Sequence, residues 1–179
     1  MPIGCTSFVP MIAHELMKHR PASVLDLGIG MGFYGAVVRQ WLDLGVRPWR
    51  TCLVGVEGFE AYRNPCWELY DGVVAARIED YLAMAGGVWD AILLLDVLEH
   101  FKRTAGESVL SAARQRLSAN GRLFVGTPAV WMEQGAFYGN ELERHRSLWT
   151  ADELRAVGFT VLWDGSPDTA GNEMLLSVA

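Results

Sequence analysis

Apolar residues gather in seven short runs along this chain, and the spacing between the runs shows what separates them. "SVLDL" (23–27), "TCLVGV" (51–56), "GVVAAR" (72–77), "WDAILLL" (89–95) and "GRLFVG" (121–126) are rich in Val, Ile and Leu, the pattern of strands buried on both faces. Ahead of them, Phe8, Ile12 and Leu16 recur at i+4 and predict an opening amphipathic helix. Phe33, Val37 and Trp41 share a helical face between the first two runs. Val109, Ala113 and Leu117 do the same between the fourth and fifth. Strand and helix in alternation predict parallel βαβ units.

The rhythm changes near the end. "TADE", Thr150 to Glu153, reads as a capping box, and the short helix it opens stops at Gly158, a suitable residue after a helix end. Two strand-like runs follow, "FTVLWD" (159–164) and "EMLLSV" (173–178), with no helix between them. The intervening "GSPDTAGN" can join only antiparallel neighbours, because a parallel return needs a crossover. The expected order is five parallel βα steps, a sixth strand, and a seventh inserted antiparallel.

Composition narrows the function classes. The 179 residues, 51% of them hydrophobic, suit one domain spanning 1–179 with a well-filled core. No apolar run approaches the ~20 residues that span a bilayer. "MPIGCTSFVP" lacks a basic stretch followed by an apolar one, so no secretory signal is expected and the cytoplasm is the expected compartment. Cys5, Cys52 and Cys66 form an odd, scattered set, which argues against a disulfide framework or a zinc site. Cys52, inside a strand-like run, is expected to be a small core residue. The net charge is −6 and the two lysines are Lys18 and Lys102, so nucleic acid is not an expected partner.

Candidate chemistry concentrates in "VLDLGIGMGFYG", Val24 to Gly35. Gly28, Gly30 and Gly32 follow the first strand directly, where missing Cβ atoms let a ligand approach the backbone. "GMGFYG" also matches the dinucleotide signature G-x-G-x-x-G. That match begins two residues late, and no tyrosine is followed four places on by lysine. Asp26 would repel a pyrophosphate but suits a ligand carrying positive charge.

"LDLGIGMG", Leu25 to Gly32, resembles motif I of the class I S-adenosylmethionine (SAM)-dependent methyltransferases. "DVLEHF", Asp96 to Phe101, resembles the "evlEH" signature of the small-molecule members. The resemblance covers nearly the whole chain. It implies an α/β fold: a Rossmann-like, doubly wound seven-stranded sheet, mostly parallel with an antiparallel last strand and helices on both faces. It implies SAM as cofactor and S-adenosylhomocysteine as product. Asp26 and Asp96 would lie by the cofactor's methionine portion and Gly28, Gly30 and Gly32 beneath it, while Glu57 would accept from the ribose hydroxyls. In "RIED", Arg77 to Asp80, the adenine contact falls to Ile78, Glu79 or Asp80; Arg77 stands where many relatives carry aspartate. His100 is expected to be structural, as a helix cap.

The segment after the fifth strand, 129–149, is left for the acceptor as a lid. It offers Trp131, Met132, Phe137, Tyr138 and Trp149 beside several charged residues. Related methyltransferases often carry a histidine shortly before the "WT..EL" helix, and His145 is the candidate base, with Arg144 and Arg146 lowering its pKa if close. Its alternative role is a hydrogen-bonded pin for the lid. The "GTP" at 126–128 lacks the acidic cluster of catechol-type enzymes, so no metal is expected. The expected activity is methyl transfer to an O, N or C nucleophile of a small organic acceptor. An NAD(P)-binding oxidoreductase and a non-catalytic SAM-binding module remain as alternatives.

Overall fold

The computed structural model describes residues 4–84, 86–165 and 174–179. Five helices and seven strands follow in the order α1 (Val9–His19), β1 (Ser23–Leu27), α2 (Phe33–Leu42), β2 (Cys52–Glu57), β3 (Gly72–Ala75), α3 (Ile78–Met84), β4 (Trp89–Leu95), α4 (Arg103–Arg114), β5 (Leu117–Pro128), α5 (Ala151–Ala156), β6 (Thr160–Asp164) and β7 (Met174–Val178). The strands form one sheet in the order β3-β2-β1-β4-β5-β7-β6. Pairing is parallel from β3 to β5, and β7 runs antiparallel to both β5 and β6. The topology read from the pattern is therefore the one observed. Most of the "GSPDTAGN" loop, and Glu173 of the last run, lie outside the described residues.

Alternation along each strand divides the core in two. In β4, Ala91, Leu93 and Leu95 face a layer holding Ile12 and Leu16 of α1 and Tyr34, Val37 and Val38 of α2. Ile92 and Leu94 face the opposite layer, with Leu82 of α3, Leu110 of α4 and Leu154 of α5. Helices thus cover both faces, and continuous apolar strands are the consequence. The capping box at Thr150 is present, and Gly158 follows α5 at φ 88°.

Three local expectations fail. Trp41 is 44% exposed, because the buried face of α2 lies one step round the helix, through Tyr34, Val37 and Val38. Leu117 begins β5 instead of continuing α4, which ends at Arg114. Cys52 is exposed: it is the first residue of β2, and burial begins at Leu53.

A buried cation ties the ends of α2 and β2 together. Arg39 donates to Asp43 Oδ2 (2.8 Å), Thr51 O (2.7 Å), Leu69 O (2.7 Å) and Asp71 Oδ2 (2.9 Å). Its planar fork matches these diverging acceptors, which a lysine could not satisfy together.

Gly35 lies in the body of α2, where a Cβ would come within 2.4 Å of Cε2 in the Tyr70 ring. That ring cannot easily withdraw, because its hydroxyl donates to Asp26 Oδ2 at 2.7 Å. Gly35→Ala should therefore destabilise the fold by ~1–3 kcal/mol in urea titrations, through overpacking. Gly72→Ala, with open space around its Cβ, should stay within ~0.5 kcal/mol of the parent. Equal stability of the two variants would remove this reading of Gly35.

Candidate active site

The carboxyl ends of β1, β2 and β4 meet where the strand order reverses direction, the place where open α/β sheets leave a crevice. From β1 the chain turns into α2 through Gly28, Gly30 and Gly32, at φ 81°, 51° and 82°. At Gly28 a Cβ would also lie 2.5 Å from Val97 Cγ2, so both conformation and space require glycine. The loop is held from two sides. The Gly30 N–H donates to Glu57 Oε2 at 2.9 Å, and Trp67 Nε1 donates to the Gly30 carbonyl at 2.9 Å. The other Glu57 oxygen accepts from the Phe59 N–H at 2.8 Å.

These turns enclose a cavity of about 370 Å³, inside the ~300–1,000 Å³ range of small-molecule sites. Asp26, Gly28, Gly30, Glu57, Ile78, Glu79 and Asp96 all line it. Gly32 and Asp80 do not: Gly32 sets the turn, as the residue before α2, and packs against Cys66 and Trp67. Arg77 also borders the cavity, with its guanidinium 3.2 Å from Glu79 Oε1.

The wall is acidic, and several of its carboxylates are buried. Asp26 is 3% exposed, and burial pushes its carboxyl up to about 7. Burial also raises Glu57, Asp96 and Glu99. Asp96 sits at φ 56°, a left-handed conformation that costs energy for a side-chain-bearing residue, and its buried Oδ1 has no hydrogen-bond partner among the described residues. Glu99 lies just behind, accepting from Thr127 Oγ1 at 3.1 Å. Among the described residues, no Lys or Arg side chain pairs with any of the four.

The 129–149 segment closes one end of the cavity with its polar half. Asn140, Glu141, Leu142, Glu143 and Arg146 line the space. The aromatic half does not. Trp131, Met132 and Tyr138 are 49%, 48% and 75% exposed, and Trp149 is buried in the helical layer against Gly106. Hydrogen bonds fasten the segment: Tyr62 Oη to Glu143 Oε1 (3.0 Å), Asn140 Nδ2 to Tyr62 Oη (3.2 Å), and the Arg146 and Ser147 N–H groups to the Glu99 carbonyl (2.8 and 3.1 Å).

His145 stands one layer behind the wall. Its Nδ1 is 2.7 Å from the Met132 carbonyl and its backbone N–H donates to the Gln134 carbonyl, so both contacts lie within the 129–149 segment. Burial lowers its pKa; the flanking arginines are engaged elsewhere, Arg144 with Glu141 and Arg146 with main-chain carbonyls. His100 caps no helix: the turn into α4 has no side-chain cap. Instead it lines the cavity, 5.0 Å from His145 between ring centroids, and burial lowers it to about 4. Tyr34, Tyr62, Tyr70 and Asn140 were not singled out by the sequence. Their partners lie 29 to 81 residues away, which no local pattern records.

No family model matches the sequence, and no curated protein does. Solved structures do match the fold. A 1,6-didemethyltoxoflavin-N1-methyltransferase of Burkholderia thailandensis, with 1,6-didemethyltoxoflavin and S-adenosylhomocysteine bound, is 23% identical at a TM-score of 0.65; the match covers 96% of this chain and 75% of that one. An O-methyltransferase family protein of the same organism is 17% identical at a TM-score of 0.67, with 96% and 54% covered, so this chain spans about half its length. A magnesium protoporphyrin IX methyltransferase of Synechocystis PCC 6803, with SAM bound, is 15% identical at a TM-score of 0.62, with 96% and 77% covered. With its β7 inserted antiparallel between β5 and β6, the chain has the Rossmann-like, seven-stranded fold of the class I SAM-dependent methyltransferases.

Proposed function

We propose that the chain is a SAM-dependent methyltransferase acting on an O, N or C nucleophile of a small organic acceptor. One observation carries the proposal: a single cavity gathers the glycine loop, Glu57, Ile78, Glu79 and two buried aspartates at the strand ends. The residues fit SAM. Its sulfonium and ammonium suit Asp26 and Asp96, the latter with an oxygen awaiting a donor, whereas the pyrophosphate of a dinucleotide would meet buried negative charge. Each Glu57 oxygen accepts one backbone N–H and keeps a lone pair for a ribose hydroxyl. Ile78 would flank the adenine and Glu79 meet its edge, in preference to Asp80, which is off the cavity.

When bound, SAM supplies a methyl group already activated by positive sulfur. The chain's own contribution is to orient the acceptor in line with that methyl and to exclude water. Residues 129–149 would act as the acceptor-side lid, through Asn140, Leu142 and Arg146 on the cavity wall and not through the exposed aromatics. A proton lost by the acceptor would leave at the His100–His145 end. Burial keeps the His100 ring on the cavity wall neutral near pH 7 and able to take that proton, while His145, the base expected from sequence, is off the cavity and would hold the segment in place.

Three measurements test this reading. S-adenosylhomocysteine or SAM should raise the melting temperature, by linkage of binding to folding, while NAD and NADP should not; stabilisation by NAD alone would overturn the proposal. Incubation with SAM and a pool of candidate metabolites should yield a product heavier by one methylene. Glu57→Gln leaves only one good acceptor oxygen and should weaken SAM about tenfold to a hundredfold by calorimetry.

The acidic wall also gives a pH signature. Asp26 has a folded pKa of about 7, above the ordinary 3.8, so ionisation costs the folded state stability as pH rises through that window. Asp26→Asn removes this penalty and keeps an acceptor for the Tyr70 hydroxyl. The variant should melt ~3 °C or more above the parent at pH 8 and alongside it near pH 3.5. A variant less stable than the parent at pH 8 would show that Asp26 is ionised at no cost.

A further inference from the structure

Beside the cavity, Glu99, His100 and His145 each bring one potential ligand atom within 4.8 Å of the other two. Neighbouring residues at a helix start generally point in different directions. Here Glu99 and His100 share the short turn Leu98–His100, and their long side chains converge on the same point as His145, 45 positions on. We propose that these three side chains form a site for a divalent transition-metal ion, built of two imidazoles and one carboxylate.

Each candidate ligand is held by a second group, as ligating residues are in metal sites. His145 Nδ1 faces the Met132 carbonyl at 2.7 Å, and His100 Nδ1 faces the Arg144 carbonyl at 3.4 Å. A carbonyl only accepts, so the tautomer with its proton on Nδ1 satisfies these contacts and would leave Nε2 of each ring with a lone pair for an ion. The Glu99 carboxylate is fixed by Thr127 Oγ1 at 3.1 Å. Glu99 is also 3% exposed and pairs with no lysine or arginine among the described residues, and a buried carboxylate is costly unless paired. Asp96, three residues earlier with its buried unpartnered Oδ1, adds negative potential nearby.

Ligand bonds of ~2.0–2.2 Å place donors around a tetrahedral ion ~3.4 Å apart, so the side chains need close in by only about an ångström. Two nitrogens and one oxygen suit Zn²⁺, Fe²⁺, Mn²⁺ or Co²⁺ over Mg²⁺ and Ca²⁺, which prefer oxygen. The absence of an acidic cluster after β5 does not bear on this site, which draws on the turn after β4 and the end of the lid. Three protein ligands leave a position open, and His100 borders the cavity. An acceptor hydroxyl seated there would be acidified by the ion, lose its proton to water at the open end of the cavity and be methylated as its anion; with the ion bound, the two histidines would be ligands and not the proton's destination. That use rests on the methyl-transfer reading; binding of the ion does not.

The test is direct metal binding by the whole chain after dialysis against a chelator. Calorimetry with Zn²⁺, and the visible spectrum with Co²⁺, should give one ion per chain without sulfur-to-metal charge transfer, Mg²⁺ binding far more weakly. His145→Gln and His100→Gln should each weaken Zn²⁺ by at least ~100-fold with the circular dichroism unchanged, and Thr127→Val, which frees the carboxylate, by ~10-fold. Should a histidine variant fail to fold, the Thr127→Val affinity decides. No stoichiometric uptake, uptake indifferent to these variants, a thiolate spectrum, or a preference for Mg²⁺ would each overturn the proposal. S-adenosylhomocysteine binding by the metal-free chain reads the cofactor site separately, so failure of one reading is distinguishable from failure of the other.

Discussion

Taking a carboxylate out of water is expensive, and this fold does it four times around one cavity, with Asp26, Glu57, Asp96 and Glu99, none of them paired with a lysine or arginine among the described residues. The surrounding structure is arranged to offset that cost. Tyr70 reaches across from the segment before β3 to donate to Asp26, which in turn requires a glycine at 35 for its ring. Glu57 takes two main-chain N–H groups and thereby fixes the glycine loop and the turn after β2. Thr127 serves Glu99. Donors supplied by neutral groups leave the wall negative, so the cavity selects for a ligand that brings positive charge of its own. Arg39 supplies the contrast: a buried cation with two carboxylate partners, placed at the far end of α2 where it cannot neutralise the site.

Much of this was legible in the sequence because it is local. Apolar runs of strand length located every strand to within a few residues, since a parallel strand must be apolar on both faces whatever its neighbours are. Gly28 is visible because no other residue fits its turn. The acids at 26, 57 and 96 are visible because strand ends are countable. What was hidden depends on pairings across the chain. Nothing near Trp149 says that it fills the space beside Gly106 instead of facing an acceptor. Nothing near His100 says that its ring meets His145. The aromatics of 129–149 suggested a pocket by composition, but the course of that segment is held by Tyr62 and the Glu99 backbone, contacts that periodicity cannot encode.

The reversal of strand order between β1 and β4 also bears on how the molecule comes apart. The N-terminal strands β1 to β3 join the rest of the sheet along one seam, paired at Val24–Ala91, Leu25–Ile92 and Asp26–Leu93. The cavity straddles that seam, with Asp26, Gly28, Glu57 and Ile78 on one side and Asp96, Val97 and His100 on the other. A molecule seated there is a cross-brace between two parts of the sheet that could otherwise open as separate cooperative units. Its release and the parting of the seam would be coupled events, so amides deep in the sheet, such as those of Leu25 and Ile92, would exchange with solvent at a rate set by occupancy of a pocket that those two residues do not line.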